Sequence, residues 1–289
     1  ALRESLSAAL DTGAPVPVSL LLAVATYFPL QTVPQWAKLL ERPWPKPVAS
    51  LLTQQLHEPE EERRLAADLR RLTEIDDSVS LAVQSQYEEN PYPRWVKLPR
   101  AKKADCIGSY LRQTFPMAAL APAPATDRME ILVAGCGTGQ HPIRTAQQFA
   151  EARVLAVDLS RNSLAYAARK TRELGISSIE YAQADLLKLG SFDRRFDVIE
   201  ASGVLHHLRD PRCGWRTLLS LLKPGGFMLL GFYSEIARRD VVRLREFVAG
   251  RGYGSTADEI RRCRLELMEM DGGDRSAQAA PSDMFSISA

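Results

Sequence analysis

Cysteine is scarce in this 289-residue chain: Cys106, Cys136, Cys213 and Cys263 are widely scattered, and no CxxC pair occurs. The four histidines do not complete a ligand set with them, so neither a metal centre nor a disulfide framework is expected. A reducing, cytoplasmic compartment is the simplest expectation. A surplus of one charge is lacking as well. The 37 basic and 35 acidic residues leave a formal +2, which gives no global drive toward nucleic acid or a membrane surface. Residues 16–30 are apolar, but Pro17 and Pro29 interrupt them and the run is too short to span a bilayer. Glu4 and Asp11 ahead of it argue against a signal peptide and for a buried helix. No 34-residue self-similarity marks the first 85 residues as a repeat array by itself.

What is present centres on residues 129–158, MEILVAGCGTGQHPIRTAQQFAEARVLAVD. A short apolar strand runs into Gly135, Gly137 and Gly139, and a helix begins near Gln140 with Pro142 in its first turn, where a missing N–H costs nothing. A second apolar strand, 154–157, closes on Asp158, whose carboxylate can accept both hydroxyl protons of a ribose. Strand, glycine turn, helix, strand and acid make a mononucleotide-binding half of a doubly wound sheet.

The alternation continues. A helix over 160–174 is expected with Ser160 as its N-cap, then a strand at 179–183, a turn at 185–189 and a strand at 196–201. Asp210 caps a helix over 211–222, Lys223-Pro224-Gly225-Gly226 turns, and a fifth apolar strand fills 227–232. Strands alternating with helices mean a parallel sheet covered on both faces. Upstream, prolines at 15, 17, 29, 34, 43, 45 and 47 divide a helical segment into short pieces, with helices expected at 19–27, 35–40, 47–56 and 60–71. Residues 78–87 and 104–113 are further helices, and 121–126 (APAPAT) is a low-complexity linker. Downstream, 236–249 and 256–270 are charged helices, and the tail from 271 is polar. The expected fold is α/β, a Rossmann-like doubly wound, mostly parallel sheet with an N-terminal helical region and a C-terminal helical segment. Its expected units are a helical region (1–85), a connector and active-site lid (86–125), the core (126–233), and a helical segment with tail (234–289).

The glycine turn discriminates between cofactors. A dinucleotide fold wants G-x-G-x-x-G; here the third glycine comes one position early and Gln140 stands in its place. No phosphate-loop lysine follows. VAGCGTGQ, LAVDLS, Ala184-Asp185-Leu186, FDVIEASGVLHHLRDP and LLKPGGFMLL occur in order, and over roughly 129–233 the chain resembles the class I S-adenosylmethionine-dependent methyltransferases. The resemblance implies S-adenosylmethionine as cofactor, with Gly135, Gly137 and Gly139 at its amino acid end. It places Asp158 on the ribose hydroxyls, Leu159 against the adenine, and Asp185 with Leu186 where the adenine amino group is met. PLQTVPQWAKLL, EPEEERRL and IDDSVSLAVQSQYEENPYPRW extend a second resemblance, to the methyltransferase part of bacterial proteins joined to tetratricopeptide repeats. That resemblance implies attachment to, or docking with, helical repeats and a chain that is a segment of a longer one. A closing strand pair usual in the family is not found after residue 233.

Methyl transfer is an in-line displacement on an activated donor, so positioning supplies much of the catalysis. Candidates for a base are His206 and His207 in the loop after the fourth expected strand, where a purely structural role competes; His141 is ambiguous in the same way. Tyr87 and Tyr92 are candidates to face a sulfonium. Tyr92, in the stiff NPYPRW stretch, belongs either to a lid or to a staple that acts with Trp95. Arg94 is a candidate for the cofactor carboxylate, and Glu200 and Ser202 for the cavity wall. The fourth strand ends EASG, unlike base amino-methyltransferases. The paired glutamates of arginine methyltransferases and a cytosine methylase cysteine are missing from their places. A small-molecule acceptor fits the HHLRDP loop, which resembles that of quinone-type methyltransferases, a protein side chain fits the repeat attachment, and no nucleic acid and no membrane span are expected. A catalytically inactive binding or scaffold module is the alternative.

Overall fold

The computed structural model describes residues 1–101, 106–119, 128–149, 151–254 and 256–270. The linker expected at 121–126 and the tail from 271 lie outside the described residues, as does part of the helix expected at 104–113. The N-terminal layer is helical. Helices α1 (Leu2–Asp11) and α2 (Val18–Tyr27) precede short 3-10 turns at Leu30–Thr32 and Trp36–Leu39. Helix α3 (Lys46–Leu52) then runs through a π turn at Thr53–His57 into α4 (Glu58–Asp68). Proline stands at the N-caps of α2 and α3, where it fixes the entry without costing a hydrogen bond. Leu6, Leu10, Leu21, Val24, Leu30 and Leu56 give this layer its own buried cluster.

The chain continues as β1 (Arg70–Arg71), α5 (Ser78–Glu89) and α6 (Ile107–Thr114). Next come β2 (Glu130–Ala134), α7 (Gln140–Gln148), β3 (Arg153–Asp158), α8 (Arg161–Glu173) and β4 (Ile179–Gln183). The last elements are β5 (Phe196–Ser202), α9 (Pro211–Ser220), β6 (Leu222–Gly231), α10 (Arg239–Arg251) and α11 (Ala257–Met270). The six strands form one sheet in the order β1-β4-β3-β2-β5-β6, every pair parallel. The period of two explains its burial. Leu132, Ala134, Leu155 and Val157 face one apolar cluster, while Ile131, Val133, Val154 and Ala156 face the other. Each fully buried aliphatic side chain here contributes about 1.5–3 kcal/mol.

Two features depart from the sequence expectation. Arg70 and Arg71, within the segment expected to be helical, pair with Ala182 and Gln183 and extend the sheet. Two exposed arginines carry no apolar alternation, so nothing local marks them as a strand. The Lys223–Gly226 turn lies inside β6 rather than before it: Phe196 pairs with Leu222 but Val198 pairs with Phe227, so the intervening residues bulge out of the ladder. Beyond β6 no further strand is present among the described residues. Nor is any described helix long and apolar enough to cross a membrane.

The helical layer is fastened to the sheet by α4 and α8. Arg169, 1% exposed, lies 2.9 Å from Glu58 and 2.9 Å from Glu62 and also pairs with Glu173. Arg161 donates to the carbonyls of Ala66, Ala67 and Leu69, which closes the C-terminal end of α4.

Candidate active site

The strand order reverses at β2, between β3 on one side and β5 on the other, and ligands of open parallel sheets bind at the carboxyl ends of such strands. A cavity of about 280 Å³ opens there. Its floor is the glycine turn; its walls come from the ends of β3, β4 and β5; α5 and the residues after it lie across it.

Gly135 and Gly139 are glycine for space as well as for conformation. A Cβ on Gly135 (φ +69°) would meet Val204 at 2.1 Å, and one on Gly139 (φ +87°) would meet the Ala167 Cβ at 2.6 Å. Gly137 donates its N–H to Asp158 Oδ2 at 2.8 Å, and Ser160 donates to Oδ1 at 3.0 Å. Asp158 thus ties the glycine turn to the start of α8 while still lining the cavity. Burial raises its carboxyl above the ordinary value, against the pull of these backbone donors. Leu159 lines the cavity too, its carbonyl held by Gln183 Nε2 at 2.9 Å.

Asp185 is 1% exposed. Its Oδ1 accepts from the Leu187 N–H at 2.9 Å, while Oδ2 is buried with no partner. The hydroxyls of Ser80 and Ser163 are likewise buried and unpartnered, and all three residues line the cavity with Leu186. Buried polar atoms are nearly always satisfied. Three orphans around one cavity therefore mark a site that takes a polar ligand, and an acceptor oxygen at Asp185 suits an amino group.

Tyr87 and Tyr92 line the cavity from α5 and the segment after it. That segment is both cover and staple. The Trp95 indole donates to the Thr138 carbonyl at 3.0 Å, the Thr138 hydroxyl donates to the Pro93 carbonyl at 2.6 Å, and the Tyr166 hydroxyl donates to the Trp95 carbonyl. At the end of α5, Glu88 accepts from the N–H groups of Arg161 and Asn162 at 2.8 and 3.0 Å, and Ser160 Oγ donates to the Tyr87 carbonyl. A carboxylate at the N-terminus of α8 is in favourable register with that helix's dipole.

Other candidates sit elsewhere. Arg94 does not line the cavity; it binds Glu62 at 3.1 Å and stacks on Tyr166. Glu200 is buried behind the wall, where Oε2 accepts from Thr145 Oγ1 at 2.7 Å and lies 3.1 Å from His141 Nε2. His141, at the start of α7, does line the cavity. His207 lines its rim, edge-on to Tyr87, whereas His206 lies outside, stacked between His207 and Tyr233. Burial lowers the proton affinity of both histidines. Cys136 also lines the cavity, but burial pushes its thiol up, which keeps it a poor nucleophile. Ser80, Val83 and Ser163 escaped the sequence reading because the face a helix presents depends on its docking; the Asp77 cap, which accepts from Val79 and Ser80 at 3.0 Å, was the available local signal.

Residues 131–226 match the profile of the family described as a methyltransferase domain. The parallel sheet order and the glycine turn of that stretch agree with a Rossmann-like methyltransferase fold. An uncharacterised protein of Synechococcus sp. is 34% identical over 61% of this chain and 42% of its own length. Phosphoethanolamine N-methyltransferase 1 of Arabidopsis thaliana is 32% identical over 43% of this chain and 25% of its own. Among solved structures, PKMT2 from Rickettsia typhi in complex with AdoHcy aligns with a TM-score of 0.47 at 21% identity, over 58% of this chain and 33% of that one. The chain thus spans less than half the length of each of these relatives.

Proposed function

We propose that this chain, proceeding from its methyltransferase domain, transfers a methyl group from S-adenosylmethionine to a small-molecule or protein acceptor. The observation that carries the reading is the unpartnered Asp185 Oδ2 buried in the cavity beside Asp158 and the glycine turn. When bound, the cofactor supplies a methyl group already activated on a sulfonium. Asp158 would hold the ribose, Asp185 the adenine amino group, Leu159 and Leu186 the faces of the base, and the glycine turn the amino acid end. Tyr87 and Tyr92 exclude water above it and offer ring faces to positive charge, each worth roughly 0.5–2 kcal/mol.

Proton removal falls to His141 or His207. His141 has the better support: Glu200 fixes its ring through Nε2, which leaves the other nitrogen to take a proton. Arg94 and Glu200 act as positioning residues, the first between helical layer and lid, the second behind His141. Nothing specific in the site favours the inactive scaffold. Attachment to or docking with helical repeats rests on the sequence resemblance of the first hundred residues, supported by a helical layer with its own apolar cluster.

Calorimetric titration with S-adenosylhomocysteine tests the cofactor. One-to-one binding is expected, and no heat and no thermal shift, in this chain and in one extended at both ends, would overturn it. A lysate incubated with radiolabelled donor then identifies the acceptor, with a Gly137→Val variant as the blank.

A further inference from the structure

From the reading just given, the cavity needs an acceptor at its β5–β6 side, and a chain of stacked groups leads out there. His207, on the rim, lies 6.3 Å from Tyr87 between ring centroids and 4.4 Å from His206. His206 is 4.2 Å from Tyr233, and the Arg238 guanidinium sits 3.8 Å over the Tyr233 ring. Arg238, at the N-cap of α10, and Arg245, on the helix itself, both line a hollow of about 290 Å³ next to these rings. Glu235 is the single carboxylate among the hollow's lining residues.

The charge in this corner is unbalanced. Arg94, Arg169 and Arg194 each pair with glutamate. Among the described residues, Arg238 and Arg245 have no carboxylate within 4.0 Å. Both ring nitrogens of His206 are buried without a partner, which again indicates a group to be supplied from outside. Burial and the neighbouring arginines both favour neutral His206, so the corner presents two fixed cations and an uncharged donor–acceptor ring. A neutral or cationic acceptor would leave the arginines uncompensated; an oxyanion would satisfy them in forked, charge-assisted contacts.

We propose that Arg238 and Arg245 form an oxyanion-binding subsite for the methyl acceptor, which therefore carries a phosphate monoester or a carboxylate and reaches past His206 and His207 to present its nucleophilic atom inside the cavity. Tyr233 acts as the pillar that holds Arg238 on one side and His206 on the other.

The test follows the ring resonances of the four histidines in the protein saturated with S-adenosylhomocysteine, titrated separately with inorganic phosphate and with acetate. Phosphate should move the titrations of His206 and His207 upward by about one pH unit, as an opposite charge within a few ångströms does, and leave His57 unmoved. Arg238→Gln with Arg245→Gln should weaken that response about tenfold or more while cofactor affinity, read by calorimetry, stays the same. A response to phosphate alone points to a phosphate monoester, and an equal response to acetate points to a carboxylate. Unchanged histidine titrations, or a response that survives the double substitution, would overturn the subsite. A failure to bind S-adenosylhomocysteine would instead count against the cofactor reading, and the phosphate response still decides the subsite by itself.

Discussion

On the side of β3 and β4 the cavity wall is built from the interior: Val154, Leu155, Ala156 and Val157 are at most 2% exposed, and the polar atoms that face the ligand are set into it by backbone donors. On the side of β5 and β6 the wall is an edge. Leu229, Phe232 and Tyr233 are 51%, 47% and 57% exposed, and the groups facing outward are rings and arginines on α10. On the proposed reading, one side is a fixed mould for the cofactor. The other is an open margin, where, on the proposed subsite, variation at Arg238 and along α10 would alter what is bound without disturbing the sheet.

The comparison can be broken on its rigid side first. Gly139→Ala places a Cβ against the Ala167 Cβ and Cα at a positive φ and should cost about 3 kcal/mol of stability in chemical denaturation, with cofactor binding lost as well. An equal cost for Gly225→Ala, where φ is +77° but nothing lies within 4 Å of the added Cβ, would mean that conformation rather than close packing is responsible. Asp158→Ala should lower affinity for S-adenosylhomocysteine about 100-fold, as the loss of a charged acceptor predicts. His141→Gln should reduce the methyl-transfer rate about 100-fold for an acceptor that must lose a proton. Glu200→Gln should mainly displace the pH profile; a profile unchanged by Glu200→Gln would remove His141 from the base role.

The smallest effect is one of sign. His206 and His207 have folded values below their ordinary 6.5, so the stability they contribute is present above pH 6.5 and is lost as the pH falls through the folded values. Asp158 is raised above 3.8, so its contribution is present below that value and is lost as the pH rises through the folded one. The exposed margin should therefore loosen on mild acidification while the cofactor side does not. Ring resonances of His206 and His207, followed from pH 7 to 5 beside amide resonances of 154–158, measure both at once.

The legibility of the sequence divides along the same line. Strands β2 and β3 show in the sequence as short apolar runs buried on both faces, and β4 and β5, which carry Glu180, Asp197 and Glu200, are marked by the regular alternation of strand and helix around them. The glycine turn, Asp158 and Asp185 stand at or just after the ends of β2, β3 and β4, so the strand pattern alone puts them at one edge of the sheet, and all of them line the cavity. Arg70–Arg71 and the bulge within β6 lack such local marks. Arg94 and Glu200 have the chemistry of site residues, but their partners, Glu62 and Thr145 with His141, are distant in sequence, so only the fold could place them behind the cavity. Ser80 and Ser163 entered the site through the docking of α5 on α8, which no periodicity specifies.

The bonds from Trp95 to Thr138 and from Thr138 to Pro93 hold the cover against the glycine turn itself. Exchange of spent donor for fresh must then break two hydrogen bonds and lift Tyr92, an opening step separate from the chemistry. Thr138→Val, which removes one of the two bonds, should raise the dissociation rate of S-adenosylhomocysteine in stopped flow, and an unchanged rate would mean that the cover does not gate exchange.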